Sequence, residues 1–366
     1  MKILQIIPQL SSGGGERFTV DLCNELAKRG HDVTLCVLYG LSGDLGFYLH
    51  EVSGRVKVVS MNKRPGLDPG LIWKLYRYIR KERPDVIHTH LRSVIYAALA
   101  ERFGVRGVHT VHSEASAEAS EWYSRKIRKW LFRKKYVQAV TISRKSQESF
   151  IDFYGFEAPL IYNGRNIPAD LTVSEEVKAE CNSCRRDEKT RLIVHLAHLD
   201  DVKRQLLQAR VARRLYGDGY NFSILFIGSD RNTAYVNEMR RTMPPCCYIL
   251  GQRSNPIEYL KEAGGFALCS RYEGLPISLI EALGVGAVPI CTPVGGIVDL
   301  IQNGVNGFLS EDIEEESYYR AMKRYLQASD EEILKMRKRA LESYQPFTMT
   351  HCAEQYEKIY HQTCQK

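Results

Sequence analysis

Short apolar runs rich in β-branched residues alternate with stretches of helical periodicity over most of the chain. Residues 3–7, 33–38, 56–60, 86–88, 107–111 and 139–142 read as strands, and residues 16–28 and 71–81 as helices between them. After Asn163-Gly164 the pattern begins again, with strands at 192–196, 223–227, 248–250, 265–268 and 288–291. Strands that alternate with helices predict an α/β class with parallel sheets. The restart predicts two doubly wound domains, residues 1–165 and 166–349, joined through a polar and charged linker over 164–189. A last amphipathic helix, residues 350–362, carries Tyr356, Ile359 and Tyr360 on one side. At 366 residues the chain has room for two cores.

Composition removes several classes. A hydrophobic content of 44% with 26% charged residues is that of an ordinary globular protein. No apolar run approaches the ~18 residues of a membrane-spanning helix. The opening M-K-I-L-Q-I-I-P, with glycines after it, reads as a first strand rather than a secretory signal. Ten cysteines, several in apolar contexts such as Cys36, Cys269 and Cys291, predict buried free thiols in a reducing, cytoplasmic setting. Cys181-x-x-Cys184 and the adjacent Cys246-Cys247 make a weak zinc pattern, because the second pair lacks ligand spacing.

A net charge of +8 favours an acidic partner. Seven of the basic residues fall in one acid-free stretch at 122–136, W-Y-S-R-K-I-R-K-W-L-F-R-K-K-Y. That stretch suits a helix lying on an anionic membrane surface, with aromatics at the boundary and cations toward lipid. It suits equally a helix that packs Trp130 and Leu131 on its own sheet and leaves its cations solvated. No recognised nucleic-acid motif accompanies it, so nucleic acid is not expected as a partner.

The chemistry is concentrated between Glu273 and Gly296, in E-G-L-P-I-S-L-I-E-A-L-G-V-G-A-V-P-I-C-T-P-V-G-G. Pro276 suits the first position of a helix, where its missing N–H would find no helical partner. Gly274 and Leu275 lead into that helix, and the amides of Ile277 and Ser278 point out of its start. Free donors and the positive end of the dipole make such an end an anion site. Glu273 stands just ahead of it and Glu281 one to two turns inside. A diphosphate on the amides then has a carboxylate on each side, and carboxylates accept hydrogen bonds from sugar hydroxyls. The combination predicts a nucleotide-sugar site.

Pro289, Thr292-Pro293, Gly295-Gly296 and Gly304-Val-Asn-Gly307 follow in order. With them the segment resembles the signature of the family-4 retaining glycosyltransferases, which have the GT-B fold. Three other stretches extend the resemblance. S-G-G-G-E-R at 12–17 follows the first strand and opens a helix, where Gly14 and Gly15 let a phosphate or sugar approach the backbone. Gly13 and Gly15 begin a dinucleotide fingerprint, but Phe18 stands at its third glycine. The second strand also ends V-T-L-C-V-L-Y without the usual acidic residue, which disfavours a nicotinamide enzyme. The run is instead similar to the G-G-x-E-R of the family.

In H-T-V-H, His109 and His112 are three apart on a strand, which sends them to opposite faces and makes them a poor ligand pair. The resemblance places the histidine at 112 on the donor sugar. His88 and His90 read as loop or packing residues. In H-L-A-H-L-D-D-V-K-R-Q from His195, the family usually has G-R-L-x-x-x-K, with arginine and lysine on the diphosphate. Lys203 stands at the lysine position, but His198 replaces the arginine and Ala197 the glycine. Lysine alone is a point-charge phosphate binder; whether His198 or Arg204 supplies the second charge is open.

The resemblance implies two facing Rossmann-like domains. The first is on the acceptor side, the second binds a nucleotide-sugar, and the terminal helix crosses back to the first. The implied reaction moves a sugar from a nucleotide diphosphate to a hydroxyl of a glycan or lipid-linked acceptor, with retention, in cell-surface polysaccharide synthesis. Glu281 then takes the ribose and Glu273 the sugar, while Lys203 and the amides of Gly274 to Ser278 hold the diphosphate. E-G-L-P-I-S-L-I-E favours uridine over guanosine. No cofactor is implied, and no D-x-D offers to hold a metal. Two alternatives stay open: a nucleotide-sugar epimerase of similar fold, and a non-catalytic nucleotide-sugar-binding protein.

Overall fold

The computed structural model describes residues 1–102, 104–119, 121–230 and 232–365. The chain divides into two compact units, the first Met1–Asn166 with Pro346–Lys366 and the second Ile167–Gln345. Unit one is built on β1 (Lys2–Ile7), β2 (Asp32–Val37), β3 (Lys57–Ser60), β4 (Val86–His90), β5 (Gly107–Val111) and β6 (Val137–Thr141). They form one six-stranded sheet in the order β3-β2-β1-β4-β5-β6. Unit two carries β7 (Arg191–Leu196), β8 (Phe222–Ile227), β9 (Cys247–Gly251), β10 (Gly264–Leu268), β11 (Val288–Cys291) and β12 (Phe308–Leu309). Read from its third strand, its sheet repeats the same order, β9-β8-β7-β10-β11-β12. Every named pairing is parallel.

This is the doubly wound order in which ligands bind beyond the carboxyl ends of the strands, where the winding reverses. The reversals fall between β1 and β4 and between β7 and β10. Central strands such as β1, with Ile3, Ile6 and Ile7 buried, read as near-continuous apolar runs because helices cover both faces. Gln5, His88 and His90 are polar exceptions in those buried strands.

The residues 164–189 are not a plain linker. Helix Glu175–Ser183 lies within them, capped by Ser174, whose side chain accepts from the Val177 N–H. Its buried anchors are only Val177 and Cys181, too few for a visible apolar period. β12, two residues long, is likewise below what alternation can reveal. The terminal helix, Met349–Cys364, belongs to unit one. It buries Cys352, Ala353, Tyr356 and Tyr360, while Ile359 stays half-buried. All ten cysteines are free, and of these Cys364 alone is exposed. Among the described residues no helix is long and apolar enough to cross a membrane.

Candidate active site

Each site residue named from the sequence falls in a connection that follows a strand. Gly14 and Gly15 come after β1, His112 after β5, His198 and Lys203 after β7, and the Glu273 to Glu281 block after β10.

In unit two, Lys203 Nζ lies 2.7 Å from Glu273 Oε1, and Ser270 Oγ donates to the same oxygen at 2.6 Å. The Lys203 side chain is 21% exposed and that of Glu273 8%. The segment carrying Glu273 is tied to the one after β11. Thr292 Oγ1 donates to the Ser270 carbonyl at 2.9 Å, and the Gly296 N–H to the Gly274 carbonyl at 2.7 Å. Gly295, at φ +53°, makes this possible: a Cβ there would stand 1.7 Å from the Glu273 carbonyl oxygen.

Pro276 is not inside the helix. It is extended, at φ −69° and ψ 121°, and caps the helix Ile277–Gly284. The ring fixes φ near the value common to both positions, so only ψ separates them, and sequence does not report ψ. The Pro276 carbonyl accepts from the N–H groups of Leu279 and Ile280, at 3.2 and 3.3 Å. Among the described residues no acceptor meets the Ile277 and Ser278 amides, which have no carbonyl a turn earlier to reach. Glu281 is buried in this helix.

His198 presents Nδ1 to Ser229 Oγ at 2.6 Å, and its carbonyl accepts from Gln205 Nε2 at 2.7 Å. Arg204, the other candidate for the missing arginine, adopts a left-handed φ of 56° and donates its guanidinium to the Ile313 carbonyl.

In unit one, the His112 N–H donates to Glu118 Oε1. Glu118 Oε2 takes the Arg128 guanidinium at 3.0 Å, and Arg128 also donates to His109 Nε2 and to the Leu91 carbonyl, each at 2.9 Å. Arg128 is 1% exposed, which corrects its expected place among lipid-facing cations. The buried residues of its helix, Trp122–Arg133, are Ser124, Arg128, Leu131 and Phe132, a helical spacing that puts the arginine on the apolar face. Trp130 on the same helix is 41% exposed, so the packed alternative also misplaced a side chain. Burial alone would raise the Glu118 carboxyl, but its His109 and Arg128 neighbours hold it at about 2.

His88 and His90 are not loop residues. Both are fully buried in β4 and join a hydrogen-bonded chain. His112 Nε2 meets His90 Nδ1 at 3.1 Å, and His90 Nε2 meets Gln5 Oε1 at 2.8 Å. Gln5 Nε2 meets Tyr360 Oη at 3.1 Å, and Tyr360 Oη meets His88 Nδ1 at 2.7 Å. His88 Nε2 reaches Thr110 Oγ1, and Thr110 reaches Tyr356 Oη, both at 2.7 Å. Burial lowers the His112 pKa to about 4 and holds those of His88 and His90 well below the usual histidine value, so these rings are neutral at pH 7. Gly15 packs on this cluster; a Cβ there would come within 3.1 Å of Leu91 Cδ2 and 3.6 Å of the His112 ring. His109 turns to other partners, Thr89 and Arg128. Among the described residues no group of three His, Cys, Asp or Glu could hold a metal.

Sequence reasoning missed Gln5, His90, Glu118, Arg128 and Ser270. The H-x-H of β4, two like polar residues on one face of the strand, was the available signal for His90.

A family model described as Glycosyltransferase Family 4 matches residues 12–167, and one described as Glycosyl transferases group 1 matches residues 178–343. The chain belongs to glycosyltransferase family 4. This family-4 transferase is 26% identical, over 375 aligned positions, to the N-acetyl-alpha-D-glucosaminyl L-malate synthase of Bacillus anthracis, covering 96% of this chain and 94% of that one. It is 24% identical over 351 positions to the UDP-Gal:alpha-D-GlcNAc-diphosphoundecaprenol alpha-1,3-galactosyltransferase of Escherichia coli, covering 90% and 88%. Among solved structures it resembles Anabaena Alr3699/HepE in complex with UDP, at a TM-score of 0.83, 18% identity, and 99% and 100% coverage. The last likeness shows the fold: the transferase has the two-domain GT-B architecture.

Proposed function

We propose that the enzyme moves a sugar, with retention, from a UDP-sugar to a hydroxyl of a glycan or lipid-linked acceptor in cell-surface polysaccharide synthesis. The observation that carries this is the Lys203–Glu273 pair standing ahead of two unpartnered amides at the start of the Ile277 helix. A diphosphate takes the amides and Lys203, and Glu273 turns to the sugar hydroxyls. Glu281 takes the ribose hydroxyls. In unit one, His112 takes the donor sugar, with Gly14 and Gly15 leaving the backbone open beside it. Charge developing on the leaving diphosphate then meets donors already fixed in place. His198, whose Nδ1 meets Ser229 Oγ, joins Lys203 as the second candidate partner of the diphosphate, in place of the family's arginine.

Uridine is supported by the motif variant and by two relatives whose names carry UDP or UDP-Gal. The lipid-linked acceptor is supported by the diphosphoundecaprenol in the name of the Escherichia coli relative. The test is a panel of nucleotide-sugars scored by thermal stabilisation, then incubation of the best donor with sugar-diphosphoundecaprenol. A donor at a hundred times its dissociation constant adds about 2.7 kcal/mol. UDP release that depends on acceptor supports the reading. Isomerised donor without acceptor makes the protein an epimerase, and binding without release makes it a binding protein.

The basic helix supports a place on the inner face of an anionic membrane. It exposes Trp122, Lys126, Lys129 and Trp130, with Arg133 and Lys134 at its end. Each such cation near the surface is worth about 1 kcal/mol and is screened within a Debye length. Flotation with anionic vesicles tests this. Binding should fall with salt and be lost when Lys126, Lys129, Arg133 and Lys134 become glutamine, whereas protein that stays soluble at low salt ends the proposal.

A further inference from the structure

The chain from His112 to the terminal helix has a direction, and one amide sets it. Gln5 turns its carbonyl oxygen to His90 Nε2 at 2.8 Å and its nitrogen to Tyr360 Oη at 3.1 Å. A carbonyl oxygen only accepts and an amide nitrogen only donates. The neutral His90 ring therefore carries its proton on Nε2 and a lone pair on Nδ1. His112 Nε2, 3.1 Å from that lone pair, must donate, which leaves His112 Nδ1 bare. The Nδ1 side of the ring is the one toward Gly15, where a Cβ would lie 3.6 Å from this nitrogen. On the other arm, Tyr360 accepts from Gln5 and hands its own proton to His88 Nδ1, and His88 donates from Nε2 to Thr110.

We infer that Gln5 is a positioning residue for transfer: through His90 it holds His112 in the Nε2–H tautomer, so that Nδ1 offers a lone pair to a hydroxyl of the donor sugar. The inference rests on the reading that gives His112 the sugar. Its chemistry is specific, because a sugar hydroxyl must donate to this nitrogen. Turning the Gln5 amide over would reverse every bond along the chain and make Nδ1 a donor. The sheet that holds Gln5 also holds His90 and His88, with Gln5 in register with His88 across β1 and β4, and the terminal helix supplies Tyr360. Phe18 meets the His112 ring edge-on at a centroid distance of 5.5 Å, and Tyr356 lies tilted by 34° against His88 at 4.9 Å.

The test is long-range 1H–15N correlation on the full-length enzyme labelled with 15N-histidine, at neutral pH, with His112 assigned by His112→Gln. The wild-type spectrum should show protonated Nε2 and bare Nδ1 for both His90 and His112. Gln5→Leu removes the acceptor opposite His90. A buried N–H without a partner is less tolerated than a bare acceptor, so the His90 proton should move to Nδ1 and drive that of His112 to Nδ1 as well. Turnover should then fall about tenfold, with UDP affinity unchanged. A wild-type His112 protonated on Nδ1 overturns the inference without any substitution, whether or not Gln5→Leu folds. So does a Gln5→Leu enzyme whose His112 keeps Nε2–H. A flipped tautomer with intact turnover leaves the relay standing and removes His112 from the sugar, so the two failures read differently.

Discussion

At the carboxyl edge of the unit-one sheet, the site residues are neutral, buried rings bonded to one another, from His112 through His90 and Gln5 to Tyr360. At the same edge in unit two they are charges, partly open to water and paired across one 2.7 Å contact between Lys203 and Glu273. The topology is the same and the preparation is opposite. In unit one the polar atoms that link the relay, from His112 Nε2 to Tyr360, are satisfied from within and only His112 Nδ1 is left to a ligand, so its geometry stands without ligand and is costly to disturb. In unit two the lysine has one carboxylate partner and, among the described residues, the helix-start amides have none, so the proposed phosphate would replace one bond and complete two. One edge is built for fixed orientation, the other for exchange.

Acid should expose the difference most strongly. Unit one buries four histidines of lowered pKa, His88, His90, His109 and His112, and unit two buries His195, also lowered. A histidine whose folded pKa is depressed contributes its stability above the ordinary value near 6.5 and loses it as pH falls toward the folded value, about 4 for His112. Each unit of depression is worth about 1.4 kcal/mol. Unit one should therefore lose several kcal/mol between pH 6.5 and 4 and unfold ahead of unit two. Trp73, Trp122 and Trp130 are the only tryptophans and all lie in unit one, so fluorescence follows it while far-UV dichroism follows both. Coincident transitions would break the comparison.

Next in size is Arg128→Met. It leaves Glu118 buried without its cation, and breaking such a pair costs about 3–5 kcal/mol. Lys203→Met, at a half-open pair, should cost unit two less than about 1 kcal/mol of stability and act on donor affinity instead. Denaturant unfolding of the two variants, side by side, measures the contrast.

Glu281→Ala should weaken UDP binding by about 1.5–3 kcal/mol, since it removes a charged acceptor from the ribose. Unchanged affinity by calorimetry in a folded variant removes Glu281 from the ribose. The smallest effect on binding is expected from Glu273→Ala, which should leave UDP affinity within about 1 kcal/mol while turnover collapses. Lost affinity for UDP alone would reverse the roles given to the two carboxylates.

Much of the fold was legible because its signals are local. Eleven of the twelve strands follow from short apolar runs, and the exception, β12, has two residues and no period to read. The Glu273 block was legible for the same reason: proline, glycine and carboxylate chemistry act over a few neighbouring positions. Arg128 shows the limit. Its spacing from Ser124 and Leu131 marked the buried face, but a run of seven cations reads as a solvated or membrane face until an acid is known to lie beneath it.

By itself the sequence determined the α/β class, the second start after Asn163, and a helix start beside Pro276, since periodicity, turns and helix ends are properties of contiguous residues. Only the tertiary structure decided which polar residues became neighbours. Gln5 and His90 are 85 residues apart, and Gln5 and Tyr360 are 355 apart. Parallel pairing of β1, β4 and β5, with the terminal helix laid against them, brings these side chains within hydrogen-bonding distance. The physical reason is that a parallel strand returns beside its neighbour only after a long crossover, so its cross-strand contacts have no local trace in the chain.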